Sequence, residues 1–93
     1  MDGLSIGRNE LMLMAAIKSL GPNAYGASIM EYVARVNAST LATGNGYNAL
    51  HRLCTKGLAS TQWNRRRRMY RLTNAGLTIL KYQEEAKDGA IAG

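Results

Sequence analysis

Residues 43–73 of this 93-residue chain read TGNGYNALHRLCTKGLASTQWNRRRRMYRLT. The first part has the apolar spacing of a helix, and Gly57 stands where a left-handed residue commonly ends one. The second part contains two short runs typical of strands, 59–63 and 69–72, separated by the polar segment 64–68. This stretch therefore predicts a helix that is followed directly by a β-hairpin.

The helix expected over residues 43–56 has one apolar side and one polar side. At 100° per residue, the predicted core side comprises Tyr47, Leu50, Leu53 and Cys54. Two asparagines and one arginine lie on the other side, and these residue types pair bidentately with adenine and guanine edges in a DNA major groove. We interpret that side as a base-reading surface, with an ordinary solvated polar face as the alternative. The predicted DNA contacts of this helix are Asn45, Asn48, His51, Arg52, Thr55 and Lys56.

Positive charge is concentrated in the middle of the chain. The net charge is +6, no Asp or Glu occurs over residues 32–83, and all six carboxylates lie towards the two ends. A polyanion with closely spaced phosphates is the partner that best matches such a field. Asn45, Asn48 and Arg52 are therefore predicted to read bases. Phosphate contacts are expected from Lys56, Arg65, Arg66, Arg67 and Arg68, and Asn64 is expected to contact DNA as part of the wing.

Two further helices are expected before this stretch. The first covers residues 8–20 and ends at Gly21 and Pro22. Its apolar arc is too wide for a helix that packs on one side only, which suggests burial from two directions, with a partner subunit as one source. The second helix begins at residue 25 or 26. Its inward-facing residues are predicted to be Ile29, Met30, Val33 and Val36.

A last helix is expected after the hairpin. Thr73 is predicted to cap it, and its periodicity fades near residue 87. Residues 1–7 are predicted as a flexible arm and 88–93 as a disordered tail, which leaves one domain over 8–87. The order helix, helix, helix, hairpin, helix is that of a mainly α (α+β) winged helix-turn-helix. In this fold the third helix enters the major groove, and the hairpin, or wing, reaches a neighbouring backbone or minor groove.

Three groups of residues, in matching order and spacing, carry a family resemblance. Before and within the second helix they are Ala24, Tyr25, Gly26 and Ile29. In and after the third helix they are Gly44, Tyr47, Leu50, Arg52, Leu53, Lys56, Gly57 and Leu58. From the wing to the last helix they are Arg67, Arg68, Tyr70, Arg71, Leu72, Thr73, Ala75 and Gly76. With these residues, the chain resembles the PadR-like winged-helix transcriptional regulators.

The resemblance implies a dimeric DNA-binding regulator, usually a repressor, whose dimer contact involves the first and last helices. The dimer contacts predicted on this basis are Leu11, Met12, Leu13, Ile17, Ile79 and Tyr82. Gly46 stands where the family generally has a larger apolar residue. With Gly44, it is predicted to loosen the start of the third helix, at about 1 kcal/mol for each glycine relative to alanine. The wing is shorter than usual, and no effector domain is expected after the last helix.

Three aromatic residues are expected near the wing. Trp63 and Tyr70 either stack on unpaired bases or brace the sheet against the helices, and we favour bracing. Tyr25, at the start of the second helix, is predicted to contact a phosphate through its hydroxyl group.

Enzymatic and metal-binding functions fit the sequence poorly. Residues 44–49 match the G-x-G-x-x-A dinucleotide pattern, but no acidic residue follows about 20 positions later. His51 is the single histidine and has no carboxylate or cysteine at a ligand spacing, so no metal is expected. Cys54 is the single cysteine; it cannot form an intramolecular disulfide and is predicted to be buried and inert. We therefore predict that the protein is not an enzyme and has no cofactor.

The longest apolar run, residues 11–17, is far shorter than the roughly 18–20 residues that cross a bilayer. Neither a membrane protein nor a secreted one is expected, and a single cysteine fits a reducing cytoplasm. We predict a sequence-specific regulator that binds double-stranded DNA as a homodimer and represses transcription. The alternatives are a sequence-indifferent nucleic-acid binder and a winged-helix module that binds a protein.

Overall fold

The computed structural model describes residues 8–37 and 43–92, with side chains for residues 8–36 and 46–85. These residues form four α-helices and one two-stranded antiparallel sheet. In chain order the elements are α1 (Arg8–Leu20), a 3₁₀ turn (Gly21–Asn23), α2 (Gly26–Asn37), α3 (Thr43–Thr55), β1 (Ala59–Asn64), β2 (Arg67–Leu72) and α4 (Asn74–Ala92). The predicted order of elements and the mainly helical fold class are confirmed.

Helix α1 lies at the centre of the domain, where it contacts α2, α3, β2 and α4. Its Leu13, Met14 and Ala16 are fully buried, and Ile17 is almost so. The burial from two directions that its wide apolar arc suggests is therefore supplied by the chain itself. The prediction of Leu13 and Ile17 as dimer contacts is wrong, because the internal core already covers both side chains.

The buried side of α3 is rotated relative to the one that the sequence predicts. Ala49, Leu50 and Leu53 are fully buried and Gly46 is buried as well, whereas Tyr47 is 41% exposed. Because two small residues occupy inward positions, α3 can approach the core closely while the Tyr47 ring lies at the edge. In α2, Ile29 and Val33 face inward as predicted; Val36, in the last turn, does not and is exposed.

Helix α3 ends as the sequence predicts, at a glycine with a positive φ. Gly57 has φ +78°, its amide donates to the Cys54 carbonyl over 3.0 Å, and the Leu58 amide donates to the Leu53 carbonyl over 2.9 Å. This pair of hydrogen bonds is the Schellman motif, and it is accompanied here by the burial of both leucines. The motif turns the chain sharply from α3 into β1.

Helix α4 begins against that same turn. The Thr73 hydroxyl oxygen accepts a hydrogen bond from the Gly76 amide over 3.1 Å, which confirms Thr73 as the cap, and its hydrogen is donated to the Gly57 carbonyl at 2.7 Å. A Cβ atom at Gly76 would lie 2.1 Å from the Leu58 carbonyl oxygen. A glycine is therefore required where the first turn of α4 crosses the backbone that follows α3.

The helical backbone of α4 extends to Ala92, beyond residue 87, where the sequence predicts its end. Residues 88–92 are thus helical in the structure, in contrast to the disordered tail expected there. Alanine, the best helix former, recurs in this segment, while its single glycine costs only about 1 kcal/mol. The predicted arm, residues 1–7, lies outside the described residues.

The hairpin is tighter than the sequence predicts. The strands pair from Ala59 opposite Leu72 to Asn64 opposite Arg67, so that only Arg65 and Arg66 form the turn. Arg65 has φ +62°, at the first of the two turn positions, where a type II′ turn normally has glycine. The other two arginines of the run belong to β2, and their side chains are consequently directed by the pleat of the strand.

The middle of β2 is attached to the segment before α2. The Tyr70 amide donates to the Ala24 carbonyl over 2.8 Å, and Tyr25 forms an isolated antiparallel bridge with Met69. The Tyr70 side chain is 6% exposed, so it braces the sheet against the helices, as predicted. In the same segment, the Ser28 hydroxyl oxygen accepts from the Tyr25 amide over 2.9 Å and thereby caps α2.

Candidate nucleic-acid interface

The outer side of α3 carries most of the polar residues predicted to contact DNA. Asn48, His51, Arg52 and Thr55 are all exposed. The Thr55 hydroxyl donates to the His51 carbonyl over 3.0 Å, a local bond within the helix. The side chain of Asn45 lies outside the described residues. The polar face that the helical wheel predicts is thus present, with Lys56 as an exception.

Lys56 and Arg52 both contact an acid that the sequence predictions do not include. Glu10, in the first turn of α1, is 4% exposed. One of its carboxylate oxygens accepts from Lys56 Nζ at 2.8 Å, and the other accepts from Arg52 Nε at 3.0 Å. The side chain of Lys56 is only 24% exposed, whereas that of Arg52 is 54% exposed. Lys56 is therefore not a fully exposed phosphate contact, which corrects its predicted placement.

Glu10 is missed because its partners are 42 and 46 residues away in the sequence. Its local signal is weak: an acid in the first turn of a helix is common, since the helix dipole favours it there. The one further signal in the sequence is that Glu10 directly precedes the apolar run 11–17. In the sequence, Glu10 lies among the carboxylates near the N-terminus. The fold places it against Arg52 of α3 and against Lys56, which follows α3.

The arginines of the hairpin are exposed, and two of them cover aromatic rings. Arg67 lies 4.7 Å above the centre of the Tyr25 ring, and Arg68 lies 5.0 Å from that of Trp63. Both are cation–π distances. Trp63 is 62% exposed, so the favoured prediction that it braces the sheet is wrong. Beyond its first residue, β1 is exposed on both faces because the hairpin projects away from the body of the domain.

Tyr25 joins the wing to the start of α2. Its ring lies under Arg67, and its hydroxyl oxygen accepts from Asn64 Nδ2 over 3.4 Å. Asn64 also lies 3.6 Å from the sulfur of Met69. Tyr25, a predicted phosphate contact, and Asn64, a predicted DNA contact of the wing, therefore both have contacts within the protein. These contacts fix the orientation of the wing relative to α2.

A groove connects α3 with the wing. Its volume is roughly 430 Å³, and it is lined by the start of α2, by Tyr47 of α3 and by the hairpin residues Trp63, Arg66, Arg67 and Arg68. A Cβ atom at Gly26 would lie 2.8 Å from Tyr47 Cε1, so α2 and α3 approach closely at this place. Tyr47 of the third helix and the arginines of the wing consequently border one groove, which is both cationic and aromatic.

Cys54 lies on the inner flank of α3 and is partly buried. Burial raises the pKa of its thiol, while the nearby charge of Arg68 acts in the opposite direction. Because the net effect favours the neutral thiol, Cys54 lacks the thiolate character of a reactive cysteine.

The remaining predicted dimer contacts differ in exposure. Leu11, Met12 and Ile79 are partly buried against the core, whereas Tyr82 of α4 is 68% exposed. Leu77, also in α4, is 42% exposed. Lys18 Nζ lies 3.8 Å from a Glu84 carboxylate oxygen and so links α1 to α4 at the surface. Of the predicted dimer contacts, Tyr82 is thus the one that the chain itself leaves largely exposed, with Leu77 exposed on the same helix.

No helix among the described residues is long and apolar enough to cross a membrane. Within the same residues, no three His, Cys, Asp or Glu side chains come together in a way that could hold a metal ion.

The model of the PadR-like family of transcriptional regulators matches residues 13–82. This match covers α1 from Leu13, all of α2, α3 and the hairpin, and α4 as far as Tyr82. The chain belongs to the PadR-like family. Its predicted family membership is therefore confirmed, and its wing and third helix are those of a PadR-like transcriptional regulator.

The fold of this PadR-like chain is similar to that of a solved family member. The crystal structure of a PadR family transcription regulator from hypervirulent Clostridium difficile R20291 matches with a TM-score of 0.75 and 24% sequence identity. The match covers 92% of this chain and 93% of that one. At this identity the likeness establishes the winged-helix fold. No curated protein was found to match the sequence.

Proposed function

We propose that this PadR-like protein binds double-stranded DNA sequence-specifically as a homodimer and represses transcription by occupying a promoter-proximal site. It acts by binding rather than catalysis, and it does so in the cytoplasm, where its single cysteine would remain reduced. The observation that carries the proposal is the groove that Tyr47 of α3 shares with the arginines of the wing, together with the exposed polar residues of α3. In a winged helix-turn-helix, the third helix enters the major groove of a duplex and the wing contacts the adjacent backbone.

We assign base contacts to α3 and phosphate contacts to the wing. Asn48 and Arg52 are exposed on α3 and have the chemistry that reads adenine and guanine; Asn45 is assigned the same role from the sequence. Arg65 and Arg66, at the tip of the wing, are assigned to phosphates. Phosphate contacts position the protein and set its salt dependence, whereas base contacts select the sequence.

The homodimer is supported by exposed apolar side chains on α4. Leu77 and Tyr82 are each exposed by more than two fifths, and both belong to the helix that the family resemblance places in the dimer contact. A two-fold dimer would place two α3 helices on successive major grooves. Its operator would then have two half-sites about one helical turn apart.

One experiment tests the proposal. Bound sequences are selected from random duplex DNA at about 150 mM salt, and the oligomeric state is measured by sedimentation. We expect an enriched palindromic sequence and a dimer. Equal binding to all duplexes would contradict sequence specificity, and a monomer bound to a single half-site would contradict the dimer.

A second candidate function is favoured by the exposed Trp63. Its ring, with Arg68 beside it, is suited to stacking on an unpaired base, as in sequence-indifferent single-strand binders. Competition between a duplex and a single strand of equal length distinguishes the two functions. A preference for the single strand that is lost in Trp63→Ala would favour this candidate.

A further inference from the structure

We propose that Glu10 is a positioning residue for DNA recognition: it holds Arg52 for base contact and withdraws Lys56 from the phosphates. The inference rests on the proposed binding of double-stranded DNA. Glu10, which lies in α1 and 42 residues from Arg52 in the sequence, is thereby a determinant of specificity.

The burial of Glu10 makes its ion pairs obligatory. A carboxylate that is 4% exposed pays a large desolvation penalty unless cations and hydrogen bonds compensate for it. Arg52 Nε and Lys56 Nζ lie 3.0 and 2.8 Å from its two oxygens. If Arg52 or Lys56 moved away from Glu10 to contact a phosphate, the buried carboxylate would lose one of these two cations. The contacts are therefore expected to persist when DNA is bound.

The consequence for Arg52 is a fixed orientation. Its Nε edge is held by Glu10, while the side chain as a whole remains 54% exposed. A guanine offers two acceptors, O6 and N7, to a pair of guanidinium donors, and the terminal nitrogens of Arg52 form such a pair. Because Glu10 orders the side chain in advance, less conformational entropy is lost when the base is bound.

The consequence for Lys56 is the opposite. Its amine is held at 2.8 Å by the carboxylate, and only 24% of its side chain is exposed. A lysine in this position offsets the charge of Glu10 and leaves the positive charge of Arg52 available to DNA. Lys56 should therefore add little to the counterion release that accompanies binding, although its place in the sequence predicts a phosphate contact.

A purely structural role is the alternative, in which the cluster only ties α1 to α3. The two roles differ in what they predict for DNA binding by folded protein. A structural tie changes the free energy of unfolding and leaves sequence preference unchanged. A positioning residue also changes the ratio between the affinities for the selected operator and for a scrambled duplex.

The first test compares the wild type with Glu10→Gln, whose side chain has the same shape without the charge. Affinities for the selected operator and a scrambled duplex of equal composition are measured over a range of salt concentrations, with thermal unfolding as the check on folding. We expect the operator preference to fall by at least about fivefold, since a good bidentate base contact is worth that much or more. The salt slope should steepen by about one as Lys56 is released. An unchanged preference in folded protein overturns the proposal.

The second test does not require Glu10→Gln to fold. In Lys56→Gln the slope of log affinity against log salt should equal that of the wild type, whereas in Arg66→Gln it should be smaller in magnitude by about one. Arg52→Lys keeps the charge but loses the planar fork, so it should lower the operator preference without changing the slope. Equal slope losses in Lys56→Gln and Arg66→Gln would show that Lys56 reaches a phosphate, and the proposal would fail.

The failure of this inference can be distinguished from that of the proposed function. If the wild type binds every duplex with equal affinity, the proposed sequence specificity is wrong, and with it the base contact of Arg52. If the wild type selects an operator and Glu10→Gln selects it equally well, only the role of Glu10 is wrong.

Discussion

At the level of single residues, Arg65 combines a functional charge with an unfavourable backbone conformation. Its φ of +62° lies in the left-handed region, which costs a residue with a Cβ atom roughly 1–2 kcal/mol. Its charge lies at the tip of the wing, where a phosphate contact is proposed. Arg65 therefore lowers the stability of the hairpin turn while it places a positive charge there.

Replacing Arg65 by Gly should raise the free energy of unfolding by about 0.5–1 kcal/mol, because relief of the strain exceeds the added entropy of the unfolded chain. Arg66→Gly is the matched control: it removes the same charge at a position without a positive φ, and it should lower stability. Urea denaturation of both variants measures the difference. Equal effects of the two substitutions would show that no strain is stored at Arg65.

At the level of elements, the first turn of α4 lies directly on the chain that leaves α3. A methyl group at Gly76 would lie 2.1 Å from the Leu58 carbonyl oxygen, which is rigid backbone. Gly76→Ala should therefore destabilise the protein by about 1–3 kcal/mol, although alanine is the better helix former. Thr78→Ala, at an exposed site two residues further along α4, is the control and should be neutral or stabilising. Thermal unfolding compares them; a stable Gly76→Ala protein would mean that the two elements are less tightly packed.

Within the wing, the two large aromatic residues should respond differently to truncation. Tyr70 is 6% exposed and Trp63 is 62% exposed, so Tyr70→Ala should cost about 3–5 kcal/mol and Trp63→Ala less than about 1 kcal/mol. Chemical denaturation measures both. Similar losses in the two variants would indicate that Trp63 also contributes to the core.

At the level of the whole molecule, the proposed dimer depends on the exposed apolar residues of α4, Leu77 and Tyr82. Tyr82→Glu should shift the protein towards monomer without unfolding it, since its ring is largely exposed within the chain. Binding to a two-half-site operator should then weaken more than binding to a random duplex. Gln83→Glu is the control, because it adds the same charge at the neighbouring exposed position. Sedimentation and DNA titration test the pair; loss of the dimer in both variants would indicate charge repulsion rather than loss of the Tyr82 contact.

Most of the architecture follows from local sequence signals. The bounds of α1, the glycine that ends α3 and the Thr73 cap are each specified by side chains within a few residues, and the structure has all three. The concentration of positive charge in the hairpin is also visible in the sequence, because its four arginines are consecutive. The predictions that are wrong concern the direction in which side chains point. Tyr47 and Trp63 are exposed, and Leu13 and Ile17 face the internal core. Which side of an element is covered depends on its neighbours, and a periodic pattern alone does not specify them.

The sequence by itself determined the helices, the hairpin between α3 and α4 and the surplus of positive charge, because caps, glycines and apolar spacing act over one or two turns. Only the tertiary structure decided that Glu10 lies against Arg52 and Lys56, across 42 and 46 residues of chain. It also decided that α3 and the wing border one groove. Contacts of this kind depend on how elements pack, and packing is set by the complementarity of whole surfaces rather than by neighbouring residues.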